Sequence, residues 1–206
     1  MAWSQSSDEP EFQAPKRAWS DPVGQTHLPK PKIIDGAGKG TLSTIDNAQG
    51  GKRIDATMVG VDAVGGQSGA TLSPPQDVSQ VGYYIRSAPF GAKNKGSSVV
   101  TSHIDYNGVV GVGSVFTSLR KGDPITITDD KGTQFHYIVE SRPKNISKTD
   151  GDYAAKTMDS VNRSKGKNSL VLVTCGGQFD PNSPLGYQDN IVVQAKFISS
   201  DKPAKK

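Results

Sequence analysis

The stretch "PITITDDKGTQFHYIVES", Pro124–Ser141, restricts the possible folds of this chain more than any other. Ile125 and Ile127 alternate with Thr126 and Thr128, an Asp-Lys-Gly triplet forms a turn, and Phe135, Tyr137 and Val139 alternate on the return. A period of two on both arms, split by turn residues, marks a half-buried β-hairpin. Other short runs carry the same character. "RIDATMVGVDAV" (Arg53–Val64) has apolar patches around Met58–Val61 and reads as two small strands split near Gly60. "SSVVTSHI" (Ser97–Ile104) is a β-branched run ending at a histidine. "SLVLVTC" (Ser169–Cys175) reads as a buried central strand, and "NIVVQAKFI" (Asn190–Ile198) as another. Helical candidates are short, Val115–Leu119 and Tyr153–Val161. Many short strands with turn signals and few helices point to a mainly β fold, a closed barrel or a sandwich, and periodicity does not separate the two.

Composition sets the domain limits. Hydrophobic residues make up 33% of the 206, low for a compact domain of that length, so part of the chain is expected to lie outside the core. The first 51 residues, rich in Pro, Gly, Ser, Asp and Lys without apolar period, read as a flexible linker or stalk. A single domain over 52–199 follows, and 200–206 form a short basic tail. The net charge of +4 is dispersed, with no basic run interleaved with aromatics, so no nucleic-acid partner is expected. No run approaches the ~18 apolar residues of a membrane span, and "MAWSQSSDEPEFQAP" lacks the layout of a signal peptide. The single cysteine excludes an intrachain disulfide framework and a cysteine zinc cluster, and no metal or cofactor is expected.

Three features carry reactive chemistry. Cys175 ends an apolar run and precedes Gly176 and Gly177, His103 ends another, and the polar "GYQDN" precedes a third. A thiol nucleophile needs a nearby base or cation to raise its thiolate fraction, and an imidazole also protonates a leaving amine. It further needs a donor aimed at the oxyanion of the tetrahedral intermediate. The plainer reading of a lone cysteine is a small buried hydrophobe, and of His103 a half-buried strand-end residue. His136, mid-hairpin, reads as structural, His27 falls in the linker, and Asp129 and Asp130 read as turn chemistry rather than a calcium site.

"LVTCGG", with "SHID" upstream and a polar-to-β-branched strand downstream, resembles the sortases, bacterial cysteine transpeptidases. "LVTCGGQFD…YQDNIVVQA" is most similar to the actinobacterial class F group, and the likeness runs in order from about Arg53 to Phe197. The resemblance implies a closed eight-stranded β-barrel with short helices. It implies a protease-like attack by Cys175 on an LPxTG-like sorting signal of surface proteins, between Thr and Gly, to form a thioacyl intermediate. His103 would act as acid and base, Thr174 and Gly176 would meet the substrate, and an amine on a cell-wall precursor or protein would accept the acyl group. Such enzymes of Gram-positive cells work on the extracellular face of the membrane, tethered by an N-terminal helix. That helix is absent from this sequence, and the 1–51 segment would be the stalk that follows it.

One residue of the family pattern is missing. Sortases carry an arginine just before the final strand, and this chain has none after Cys175. Alignment on "IVV" puts Asn190 there as the expected oxyanion donor, with Gln188 as the alternative and Arg86 or Arg142 as candidates from elsewhere. A neutral amide donates one hydrogen bond but lacks the charge and fork of a guanidinium. The alternatives to a transpeptidase are a thiol endopeptidase transferring to water, and a degenerate barrel acting as a cell-surface binding module.

Overall fold

The computed structural model describes residues 32–34, 38–45, 52–62, 64–66, 69–71, 73–91, 96–150, 152, 156, 168–183 and 186–203. The strands are β1 (Lys32–Ile34), β2 (Gly40–Ile45), β3 (Lys52–Asp62), β4 (Val64–Gly66), β5 (Gly69–Thr71), β6 (Gln80–Tyr84), β7 (Gly96–Thr101), β8 (Asp105–Tyr106) and β9 (Val109–Val110). The helix α1 (Gly113–Phe116) comes next. It is followed by β10 (Pro124–Asp129), β11 (Gln134–Val139), β12 (Lys144–Ser147), β13 (Asn168–Phe179) and β14 (Tyr187–Asp201). Hydrogen bonding runs β3-β2-β10-β11-β14-β13-β7-β6, and β6 returns to β3, which closes an eight-stranded barrel. β1 lies on β3 and β12 on β14, outside that ring. The β7–β13 and β3–β6 pairings are parallel, the other barrel pairings antiparallel.

The hairpin read from alternation is β10–β11, with Ile125 opposite Tyr137 and Ile127 opposite Phe135. Its turn is held by the Asp129 carboxylate, which accepts from the Lys131 and Thr133 amides at 2.9 and 2.8 Å, as turn chemistry requires. Alternation fills the barrel. Leu170, Leu172, Val193, Ala195, Val100, Ile125, Ile127 and Tyr137 meet Leu42, Met58 and Phe116 in one core. His136 bonds Thr126 Oγ1 and Asp201 through its two ring nitrogens, a structural role.

Five boundaries differ from the sequence reading. The segment read as linker contributes β1 and β2, and β2 sits between β3 and β10 with Leu42 fully buried. Its two large apolar residues, Leu42 and Ile45, stand three apart among Gly, Thr and Ser without a period of two, which explains why composition placed it outside the domain. β3 runs unbroken through Gly60, and Gly38 lies so close against it that a Cβ built on Gly38 would be 3.0 Å from Gly60 Cα. β13 continues past Cys175 to Phe179, with the register shifting between Gly176 and Phe179. β14 continues into the tail as far as Asp201, paired with Gln134. The helix expected at Val115–Leu119 forms two residues earlier, as α1. The one expected at Tyr153–Val161 lies almost wholly outside the described residues, as does most of 1–51.

Candidate active site

Side chains alternate along β13, and the alternation decides where the thiol points. Leu170 and Leu172 face the barrel core, so Val171, Val173 and Cys175 face outward. Val171 and Val173 pack there with Val192 of β14 and Ile146 of β12. Cys175, half-buried, continues that outer stripe and packs against a small cluster of Ile104, Phe179 and Tyr187. The strand extends beyond the thiol because Gly177 takes φ +74° there, and a Cβ on it would meet the Asp189 carboxylate at 2.4 Å.

The parallel partner strand brings in the histidine. Val171 pairs with Val99 and Val173 with Thr101, and Cys175 and His103 each lie two residues beyond that last registered pair. Two bonds extend the pairing toward that point. The Ser102 amide donates to the Val173 carbonyl at 3.2 Å, and Thr174 Oγ1 donates to the Ser102 carbonyl at 2.8 Å. His103 is 6% exposed, and its ring stacks on Tyr106 with centroids 4.9 Å apart. Its carbonyl accepts from the Gly113 amide at 2.9 Å. Close approach of the α1 loop needs glycine at that point: a Cβ on Gly113 would lie 2.3 Å from Thr174 Oγ1 and 2.6 Å from the His103 carbonyl oxygen. Burial pulls the imidazole down to about 4, so His103 is neutral at neutral pH.

The side chain of Thr174, expected to meet substrate, is turned into the barrel instead. It is 3% exposed and spends its hydroxyl on Ser102, so it positions the two strands. Gly176 is buried in β13 opposite Asp189. Asn190 stands directly opposite Cys175 on β14 and so shares its face. The Gln188 amide donates to the Gly186 carbonyl at 2.8 Å, a commitment that leaves it less able to serve an oxyanion.

Arg86 is engaged elsewhere. Its guanidinium forms a fork on the buried Asp62 carboxylate at 2.8 and 2.9 Å. The following loop bonds the start of β7, Ala88 amide to Ser97 carbonyl. Six residues of strand then separate that end from His103, about 20 Å at ~3.3 Å per residue. Arg142 is exposed at the bend before β12.

Three residues that sequence reasoning did not single out complete the surroundings. Lys148, just past β12, continues its ladder by donating its amide to the Gln188 carbonyl at 2.7 Å. Its ammonium lies 3.4 Å from Cys175 Sγ and 2.9 Å from the Tyr187 carbonyl oxygen. The Tyr187 hydroxyl donates to the buried Asp105 carboxylate in a short hydrogen bond. Burial first, and then the Asp105 carboxylate, hold the Tyr187 proton far above the usual phenol range. Asp105 and Tyr187 lie inside "SHID" and "GYQD", so their motifs were in view. Lys148 has no motif; only the register of β12 on β14 brings it to the thiol.

Among the described residues no three His, Cys, Asp or Glu side chains converge as metal ligands, and no helix is long and apolar enough to cross a membrane. A thiol with an ammonium on its sulfur and an amide opposite it on β14, and a buried neutral imidazole past the end of the neighbouring strand, are groups that suit nucleophilic acyl transfer.

A family model described as the sortase domain matches residues 53–198. None of the curated proteins matches the chain. Among solved structures it is similar to sortase E1 of Streptomyces coelicolor with a tripeptide in the active site, at 17% identity and TM-score 0.54, covering 84% of this chain and 97% of that one. It is also similar to sortase E of Streptomyces avermitilis, at 21% identity and TM-score 0.51, covering 82% and 95%. A third is the SrtA sortase of Actinomyces oris, at 14% identity and TM-score 0.54, covering 87% and 91%. At these identities the likeness is one of fold.

Proposed function

The chain belongs to the sortase family, and from that premise we propose that this cysteine transpeptidase cleaves an LPxTG-like sorting signal through a thioacyl intermediate on Cys175. Cys175 Sγ attacks the threonine carbonyl carbon while its proton passes to the neutral His103 imidazole. The oxyanion accepts a hydrogen bond from the Asn190 amide. The carbon–nitrogen bond to glycine then breaks, and His103 returns its proton to the departing amine. A second amine, on a cell-wall precursor or protein, attacks the thioester and gives a proton to His103. Collapse forms the new amide, and the released sulfur takes the proton back. Sortases act at the cell surface, and the natural substrates would be surface proteins bearing the signal at their C-termini. The class F assignment rests on "LVTCGGQFD…YQDNIVVQA".

The observation that supports this reading best is the parallel β7–β13 register, with Thr174 bonded to Ser102 one residue before each reactive group. The test is a fluorogenic LPxTG peptide assayed with and without an added oligoglycine amine. Amine-stimulated product is the expected result. Amine-independent cleavage would indicate transfer to water, and silence a binding module. Cys175→Ala should abolish cleavage with the melting temperature nearly unchanged, because the thiol sits on the outer face rather than in the core.

A further inference from the structure

The family's arginine is absent after Cys175, and a positive charge beside the sulfur favours its thiolate. We propose that Lys148, reaching in from the end of β12, is the catalytic cation of this enzyme. It would favour the Cys175 thiolate as it forms and face the oxyanion that develops on the carbon bonded to that sulfur. The inference rests on the transpeptidase reading of the site and deepens it.

Geometry carries the proposal. The ammonium is 3.4 Å from Sγ, and the Tyr187 carbonyl, accepting from it at 2.9 Å, fixes its position. The chain on both sides is held as well. Ile146 is packed under Val171 and Val192, and the Lys148 amide is bonded to Gln188. The lysine stem is therefore anchored at its backbone and at its tip. An oxyanion on a carbon joined to Sγ lies within ~3 Å of the sulfur and so within reach of the same ammonium. The other titratable groups around the thiol do not provide a cation. From the end of β7 comes His103, neutral at neutral pH through burial. From β14 comes Tyr187, which keeps its proton, and behind it the Asp105 carboxylate of β8, which accepts that proton's hydrogen bond. Asp189 is directed to the other face, where Asn145 donates to it at 3.1 Å.

Lysine is not a simple copy of arginine in this place. Its ammonium is a point charge without the bidentate fork, so it serves the sulfur and one oxygen rather than clamping a peptide. The reversed chain position also matters: the charge enters from a strand upstream of the nucleophile, leaving the start of β14 to the neutral Asn190.

Because Cys175 is the only cysteine, alkylation by iodoacetamide reads this one sulfur without interference. We would follow its rate from pH 5 to 10 in the wild type, Lys148→Gln and Lys148→Arg, with peptide turnover and thermal melts in parallel. Lys148→Gln keeps a donor for the Tyr187 carbonyl but removes the charge. Its alkylation at pH 7 should slow about tenfold, a cautious figure for loss of one charge near a half-buried sulfur. The whole profile should move to higher pH, and turnover should fall at least as far. Lys148→Arg should retain most of both rates. Should Lys148→Gln lower stability, the Lys148→Arg variant still decides, since loss of alkylation there, in a folded protein, overturns the charge argument. Alkylation of folded Lys148→Gln at the wild-type rate and pH also overturns it. The two readings part cleanly: unchanged alkylation in an enzyme that cleaves peptide sinks only the lysine. Slowed alkylation in a protein that cleaves nothing sinks only the transpeptidase substrate.

Discussion

Thr174 Oγ1 donates a 2.8 Å hydrogen bond to the Ser102 carbonyl, joining the residue before the thiol to the residue before the imidazole across 72 positions of sequence. Both groups are buried, so the bond has no water to replace it. It fixes how far β7 and β13 slide past one another at the reactive end.

Thr174→Val removes that tie and leaves the Ser102 carbonyl unpaired, at a cost of about 1–3 kcal/mol. Turnover should fall with KM little changed, because the side chain touches no substrate. Thr174→Ser should recover most of the loss in both the melting and steady-state assays. A raised KM with intact kcat would instead return Thr174 to the substrate.

His103 should make the fold acid-sensitive. Its folded value is lowered to about 4 from the ordinary 6.5, so the unfolded chain takes up a proton that the folded one refuses. Stability is therefore fully present above pH 6.5 and drains away as pH falls toward 4, by up to about 3 kcal/mol at 1.36 kcal/mol per pH unit. Urea melts across that window should show the slope in the wild type and a shallower one in His103→Gln. Equal slopes would mean that other groups govern the acid limb.

Asn190 and Arg86 should separate catalysis from stability. Asn190→Ala should lower turnover by roughly 10²–10³, the ~2.7–4 kcal/mol of one oxyanion donor, with the melting temperature kept. Gln188→Ala should cost less, since its amide is held by the Gly186 carbonyl. Arg86→Ala should do the reverse, lowering the melting temperature by stripping a forked partner from the buried Asp62, with turnover preserved in the folded protein. If Arg86→Ala abolished turnover while Asn190→Ala was silent, the assignment would fail.

Truncation should respect β2. Removing residues 1–31 should leave a cooperative melt, since they carry little apolar surface. Removing everything through Gly51 takes away the strand between β3 and β10 and should abolish the melt. Leu42→Ala, in the middle of that strand, should cost about 2–5 kcal/mol. A through-Gly51 truncation that melts like the full chain would put β2 outside the stable unit.

The contrast between β10–β11 and β2 shows what could be read from sequence. In the hairpin, five large apolar side chains repeat with period two, and nothing else satisfies them. β2 buries Leu42 and Thr44 among Gly, Thr and Ser, too weak a pattern to stand out from a Gly- and Ser-rich stretch. Cys175 and His103 were legible as candidates because each ends an apolar run that their motifs mark. The end of β13 was not, because Gly176 and Gly177 terminate many strands and here only form an irregularity within one. Lys148 was illegible for a deeper reason. Its place beside the thiol depends on which strand β12 pairs with, and pairing partners are a property of the closed barrel, not of any local run.

Closure of the barrel also sets when the thiol becomes dangerous. Both parallel pairings, β3 with β6 and β7 with β13, join strands separated by intervening chain, and β14 pairs with β11, β12 and β13 together. Such long-range contacts form late. Until β14 is seated, Cys175 lacks Asn190 opposite it, Lys148 lacks the carbonyl that aims it, and Asp105 lacks Tyr187. A chain part-way through synthesis thus carries an unassembled thiol, and the groups around it come together only with the last strand.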